Sequence, residues 1–142
     1  MTGLLASLVG TWLIERSIDD GSSMTGTATF APCGAEQFDY REQGQFRRRD
    51  GRMFDAERRY IFEETGGGFT VFFSEISLRP FHRVVLCREG SSLVGAATHR
   101  CADDRYDSRY EFRADGSFTI EHRVCGPRKG YVMETRYVRA LV

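Results

Sequence analysis

This 142-residue chain has no surplus of charge of either sign, since 20 basic residues balance 20 acidic ones. Without a basic field there is nothing to hold nucleic acid or an anionic lipid surface by counterion release, so neither is expected as a partner. Lysine is nearly absent: Lys129 is the only one, and the other nineteen basic residues are arginine. Arginine suits rigid, bidentate contact with carboxylate or phosphate, although a GC-rich genome writes arginine just as readily. Long apolar runs are missing too. Leu4 to Val9 is too short for a signal or a membrane span and follows an uncharged Met1-Thr2-Gly3, so a cytoplasmic protein is expected. The four cysteines, Cys33, Cys87, Cys101 and Cys125, include no C-x-x-C pair, which argues against a zinc knuckle or a thioredoxin-type site and for free thiols. Gly-x-Ser-x-Gly, the phosphate loop, His-Glu-x-x-His and Gly-x-Gly-x-x-Gly are all absent.

What is present is turn chemistry and alternation. Asp20-Gly21, Pro32-Cys33-Gly34, Asp50-Gly51, Gly66-Gly67-Gly68, Glu89-Gly90, Asp115-Gly116 and Gly126-Pro127 punctuate the whole length. Between them lie segments rich in Val, Ile, Thr, Phe and Tyr. These predict strands near 10–19, 24–31, 36–47, 53–63, 68–73, 80–88, 92–99, 104–113, 117–125 and 131–140, after a short helical turn within Thr2 to Leu8. Hydrophobic residues make up 41% and aromatics 13%, enough for a core in a chain of one-domain size. Sequential hairpins of this kind make an all-β, single antiparallel up-and-down barrel of about 8–10 strands over residues 1–142, wide enough to hold one small ligand.

Side chains alternate faces along a strand, so each segment has an inward and an outward phase. In 104–113 the charged phase of Arg105, Asp107, Arg109, Glu111 and Arg113 faces water, which turns Asp104, Tyr106, Ser108, Tyr110 and Phe112 inward. In 54–62 Asp55, Glu57 and Arg59 lie outside, and Arg58 shares the inner phase with Phe54, Ala56, Tyr60 and Phe62. Arg16 sits among Trp12, Ile14 and Ile18, and Glu42 among Phe38 and Tyr40. His99 falls in phase with Leu93, Gly95, Ala97 and Cys101, and His122 with Phe118, Ile120 and Val124. The last strand, with Tyr131, Met133, Thr135, Tyr137 and Arg139 against Val132, Glu134, Arg136 and Val138, is ambiguous by composition.

A ligand-free core is normally Leu, Ile and Val, whereas this one carries arginines, tyrosines and histidines. The expected lumen set is Arg16, Tyr40, Arg58, Tyr60, His82, His99, Tyr106, Tyr110, Tyr131, Tyr137 and Arg139. Up to three of these are inward arginines, set against the two carboxylates Glu42 and Asp104. Either these groups satisfy one another around a wet lumen, or they hold a small ligand with an anionic group and an apolar or aromatic body. In the binding reading Arg16 and Arg58 clamp the anion and tyrosines stack on the body. In the alternative, a small acid–base enzyme (isomerase, cyclase or decarboxylase), Arg58 orients the substrate while Glu42 or Asp104 with Tyr60 or His99 moves protons. A cavity carboxylate with a raised pKa beside a tyrosine discriminates the two. A metal on His82, His99 and Asp104, or a haem on one histidine, is weighed against the plainer reading of hydrogen-bonded core histidines; no metal site or cofactor is predicted. Phe69-Thr70-Val71-Phe72-Phe73 carries aromatics on both faces, which hints at a homodimer contact.

Leu8-Val9-Gly10-Thr11-Trp12 resembles the opening of the calycins, the lipocalin and fatty-acid-binding superfamily. That resemblance implies a helical turn leading into Gly-x-Trp and an arginine of the last strand, Arg139 or Arg136, packed over Trp12. The chain as a whole is similar to a small calycin-like family of bacteria and fungi that has no assigned activity. The resembling residues are Arg16; Thr25 to Phe30; Tyr40-Arg41-Glu42-Gln43-Gly44; Arg58-Arg59-Tyr60; Phe81-His82; His99-Arg100-Cys101 with Asp104 and Tyr106; and Gly126 through Tyr137. The order Tyr137-Val138-Arg139 is the reverse of the Arg-x-Tyr of fatty-acid-binding proteins, and only Asp19 to Ser23 stands where those proteins insert two helices.

Overall fold

In the computed structural model, which describes residues 3–74 and 78–141, ten antiparallel strands close into a barrel. A one-turn helix α1 (Leu4–Ser7) precedes β1 (Gly10–Ile18), β2 (Ser23–Gly34), β3 (Gln37–Arg47), β4 (Met53–Thr65) and β5 (Gly68–Phe73). Then follow β6 (Arg79–Glu89), β7 (Ser92–Cys101), β8 (Asp104–Phe112), β9 (Phe118–Cys125) and β10 (Gly130–Arg139). Each strand pairs with its chain neighbours, and β10 returns to pair with β1 through Trp12 opposite Arg139, so the barrel has no free edge. The expected strands are all present. The largest difference is in β2, which runs on through the Pro32-Cys33-Gly34 segment read as a turn. Pro32 opposes Phe38, and the pairing slips between Pro32 and Gly34, an irregularity of the kind that accommodates a proline in a strand. Met1 and Thr2, where the helical turn was expected to begin, lie outside the described residues.

The two ends of the barrel differ. At one end α1 lies across the opening with Leu5 and Leu8 buried, and the Trp12 indole N–H donates to the Leu8 carbonyl at 2.9 Å. Above it Phe118 meets Trp12 edge-on at 4.8 Å and stacks on Tyr137 at 4.2 Å, while Phe30, Phe62, Phe69 and Phe112 fill the space around them. Edge-to-face aromatic pairs add about 0.5–1.5 kcal/mol each beyond the area they bury, so this end is a packed plug. The other end, where β1, β3, β5, β7 and β9 finish, opens to a cavity. Two glycines shape the wall: Gly26 and Gly44 face each other across β2 and β3, and a Cβ on Gly44 would stand 2.8 Å from the Gly26 Cα and 2.2 Å from the Thr25 carbonyl. Only glycine permits so close a backbone approach.

The structure follows the inward phase along most of each segment above, except that Phe54, at the open end of β4, is exposed, and it selects Tyr131, Met133, Thr135 and Tyr137 as the inner face of β10. All four cysteines are free and exposed. No described helix is long and apolar enough to cross a membrane.

Candidate functional site: the open half of the lumen

The cavity has a volume of 320 Å³, and its lining draws on β4 to β10. Arg58 and Tyr60 come from β4, Phe73 from β5, Arg79 and Phe81 from β6, and His99 and Cys101 from β7. Tyr106 of β8, His122 and Val124 of β9, and Tyr131 and Met133 of β10 complete it. Phe81 arrives there through a bulge. Val71 opposes His82 but Phe72 opposes Pro80, so one extra residue of β6 is left unpaired and both Phe81 and His82 are buried. Strict alternation allows only one of the two inside, and His82 alone was expected in the lumen.

Beneath the cavity lies a closed polar floor. The Arg16 guanidinium donates to both oxygens of Glu42, at 2.7 and 3.0 Å, and its Nε donates to the Thr135 hydroxyl at 2.7 Å. Tyr40 donates to Glu42 at 2.7 Å and exchanges a hydrogen bond of the same length with Tyr137. Burial alone would raise the Glu42 carboxyl, but the hydrogen bonds and charge of Arg16, with Tyr40, outweigh it and hold the pKa below the ordinary value. Burial likewise drives the Tyr40 and Tyr137 phenols above theirs. Arg16 is therefore saturated by protein and does not line the cavity. Arg16 was expected beside a ligand; its guanidinium is instead taken up by Glu42 of β3, two strands away.

Arg139 is corrected in the same way. Its guanidinium lies 4.1 Å above the Trp12 ring and donates at 2.8 Å to the carbonyls of Val9 and Ser7, at the plugged end and far from the cavity. Asp104 is not an interior counter-charge: it sits at the rim, 3.2 Å from Lys129, which also donates to the Tyr106 hydroxyl at 3.1 Å. Those two contacts raise the Lys129 pKa. Tyr110 is buried in the core and shares a 2.6 Å hydrogen bond with His82 Nε2.

Arg58 does face the cavity, paired in register with Glu42, yet its side chain is exposed, because this part of β4 stands at the open end. It makes no hydrogen bond or ion pair with any described residue. Arg59, on the outer face, pairs with Asp39 at 3.4 Å. Arg79 stacks on Phe73 at 4.3 Å at the same mouth.

Three histidines surround Phe81. Burial, with the neighbouring His122 and His99, pushes His82 down to about 3. Burial, with Arg58 and Arg16, pushes His122 to about 4, and its Nδ1 is hydrogen-bonded to the Ser108 hydroxyl at 2.6 Å. His99 lines the cavity with its Nε2 buried and unpartnered among the described residues; His82 Nδ1 is likewise unpartnered. No group of three or more His, Cys, Asp or Glu among the described residues is arranged to hold a metal. His82, His99 and Asp104 do not converge, because Asp104 is engaged by Lys129.

Of the residues expected in the lumen, Arg58, Tyr60, His99, Tyr106 and Tyr131 line the cavity, whereas Arg16, Tyr40, Tyr137, Tyr110 and His82 form its floor and the layer below. The lining residues absent from that expectation are Phe73, Arg79, Phe81, Cys101, His122, Val124 and Met133. His122, Val124 and Cys101 were legible by phase. Phe81 was not.

A closed antiparallel barrel with a helix-plugged base, a Gly-x-Trp start and an arginine of the last strand over that tryptophan is a calycin-like fold. The chain belongs to the family of unknown function DUF6314, whose model matches residues 8–139. No curated protein matches it. Solved structures are similar to this chain at low identity. A de novo designed fluorescence-activating β-barrel is 18% identical over 99% of this chain and 100% of that one, with a TM-score of 0.53. The wild-type fluorescent protein UnaG is 15% identical over 96% and 100%, with a TM-score of 0.44. A Schistosoma mansoni fatty-acid-binding protein, solved with arachidonic acid, is 14% identical over 98% and 100%, also at 0.44.

Proposed function

We propose that the barrel binds a small molecule whose anionic group meets Arg58 and whose apolar or aromatic body lies against Tyr60, Phe73, Phe81 and Tyr106. The observation that carries this is the state of Arg58. It is a guanidinium lining a 320 Å³ cavity with no hydrogen bond or ion pair to any described residue, whereas Arg16 and Arg59 are each matched to a carboxylate. Arginine presents a fork that matches a carboxylate, and aromatic walls supply the remaining contact area. Binding is favoured over acid–base catalysis because no described carboxylate lines the cavity. Glu42, the nearest one beneath it, is held ionised rather than poised. A charge-assisted contact is worth about 1.5–3 kcal/mol; solvent at the mouth puts this one at about 1–2 kcal/mol, a factor of roughly 5–30 in affinity. The protein should therefore prefer 2-naphthoate to its methyl ester by that factor in fluorescence titration, and Arg58→Met should abolish the preference while leaving ester affinity unchanged. Equal binding of acid and ester to the unaltered protein overturns the proposal.

A further inference from the structure

The size of the cavity and one unsatisfied nitrogen narrow the ligand that this reading requires. At 320 Å³ the cavity stands at the small end of the roughly 300–1,000 Å³ range of small-molecule sites. The cavity does not deepen on demand: beneath it lies a gap of only 20 Å³, walled by the Arg16, Glu42, Tyr40 and Tyr137 groups that bond one another. A long fatty acyl chain would leave much of its length in water. The walls are flat rings, with Tyr60 and Phe81 nearly parallel at 13°, and they suit a planar body better than a coiled chain.

The second polar position is His99. Its ring is held edge-on by Phe73 at 5.9 Å and 66° and by Phe81 at 5.2 Å and 75°. Its Nε2 is buried without a partner among the described residues. A buried polar atom left unpaired is costly, and the cavity that His99 lines is where a partner can come from. A ring nitrogen donates or accepts according to tautomer, and a hydroxyl satisfies either. Arg58 on β4 and His99 on β7 are three strand steps apart, about 14 Å around the wall, so the two groups address opposite ends of one compact molecule.

Granted the anion at Arg58, we infer that the ligand is a compact aromatic acid with a hydroxyl, at the end remote from the acid, that hydrogen-bonds His99 Nε2. The experiment is calorimetric titration with 3-phenylpropionate, 3-(4-hydroxyphenyl)propionate, the methyl ester of each, and oleate. In the unaltered protein the hydroxylated acid should bind at least fivefold tighter than its deoxy counterpart, and oleate more weakly than either. His99→Phe, with His99→Leu as a second variant should the first not fold, should remove the hydroxyl preference and keep the acid-over-ester preference; Arg58→Met should do the reverse. Equal affinity for the hydroxy and deoxy pairs, or a hydroxyl preference that survives loss of His99, overturns the inference and leaves an ordered water as the partner of Nε2. Tighter binding of oleate, or binding of 2-naphthoate alone, overturns the compact hydroxylated class while the Arg58 reading stands. Loss of the acid-over-ester difference with the hydroxyl difference intact fails the Arg58 reading instead.

Discussion

Replacing Arg16 by methionine tests the polar floor and its separation from the ligand site. Arg16 and Glu42 are 7% and 2% exposed and joined by two hydrogen bonds, with Thr135 and Tyr40 completing the set. Removing the guanidinium leaves a buried carboxylate with only Tyr40 to solvate it, and breaking one side of a buried pair typically costs about 3–5 kcal/mol. Against a total stability on the order of 5–15 kcal/mol, the variant should fold with its urea midpoint much reduced. Trp12, the single tryptophan and 1% exposed, reports the transition by fluorescence. Glu42→Leu alone should lose a comparable amount, since it strands the guanidinium. The double variant Arg16→Met with Glu42→Leu should lose no more than about 1 kcal/mol, because well-packed apolar groups often replace a buried pair at little cost. The coupling energy should then be at least about 5 kcal/mol. The pH dependence has a defined sign. Glu42 has a folded pKa below its unfolded one, so its contribution is present above the unfolded value and is lost as pH falls through the folded value. The double variant should lose that acid limb. Its affinity for 2-naphthoate should match the unaltered protein. Strictly additive losses, or a single Arg16→Met loss below 1 kcal/mol, would refute the argument.

Three further outcomes are expected. His82 and His122 have folded pKa values near 3 and 4, below the unfolded value of about 6.5, so the unfolded state binds protons first and stability falls as pH drops from 6.5 toward 4. The slope should approach about 1.4 kcal/mol per pH unit for each histidine, and a flat urea midpoint from pH 6.5 to 4.5 would contradict the burial of both. Gly44→Ala forces a Cβ against the Thr25 carbonyl and should cost at least about 1–3 kcal/mol. Gly66→Ala, with open space around its Cβ, should change stability by less than about 0.5 kcal/mol; a Gly44→Ala as mild as Gly66→Ala would show that β2 and β3 do not touch there. Thiol titration without reductant should count four reactive cysteines in the native protein, and a count of two or none would show disulfides instead.

The alternation of side chains and the turn pairs were enough to place ten strands and the side of the wall on which most residues lie, because both signals are local: a residue's face depends on its neighbours two positions away. Gly10-Thr11-Trp12 likewise carried the base of the barrel, with an arginine of the last strand above the indole. Which inward groups meet, and how deep each lies, depended on pairing across strands and on which end of the barrel is plugged. Arg16 and Arg58 share the same phase logic, yet the first is saturated by Glu42 from β3 and the second stands open at the mouth. Asp104 read as an interior charge because nothing local shows that the β9–β10 connection brings Lys129 against it. Phe81 was invisible for a different reason: the bulge that turns it inward is an irregularity in the pairing of β5 with β6, and alternation along β6 alone assigns it to the outside. Faces are written in the chain two residues at a time, whereas depth and partnership arise only when the strands close on one another.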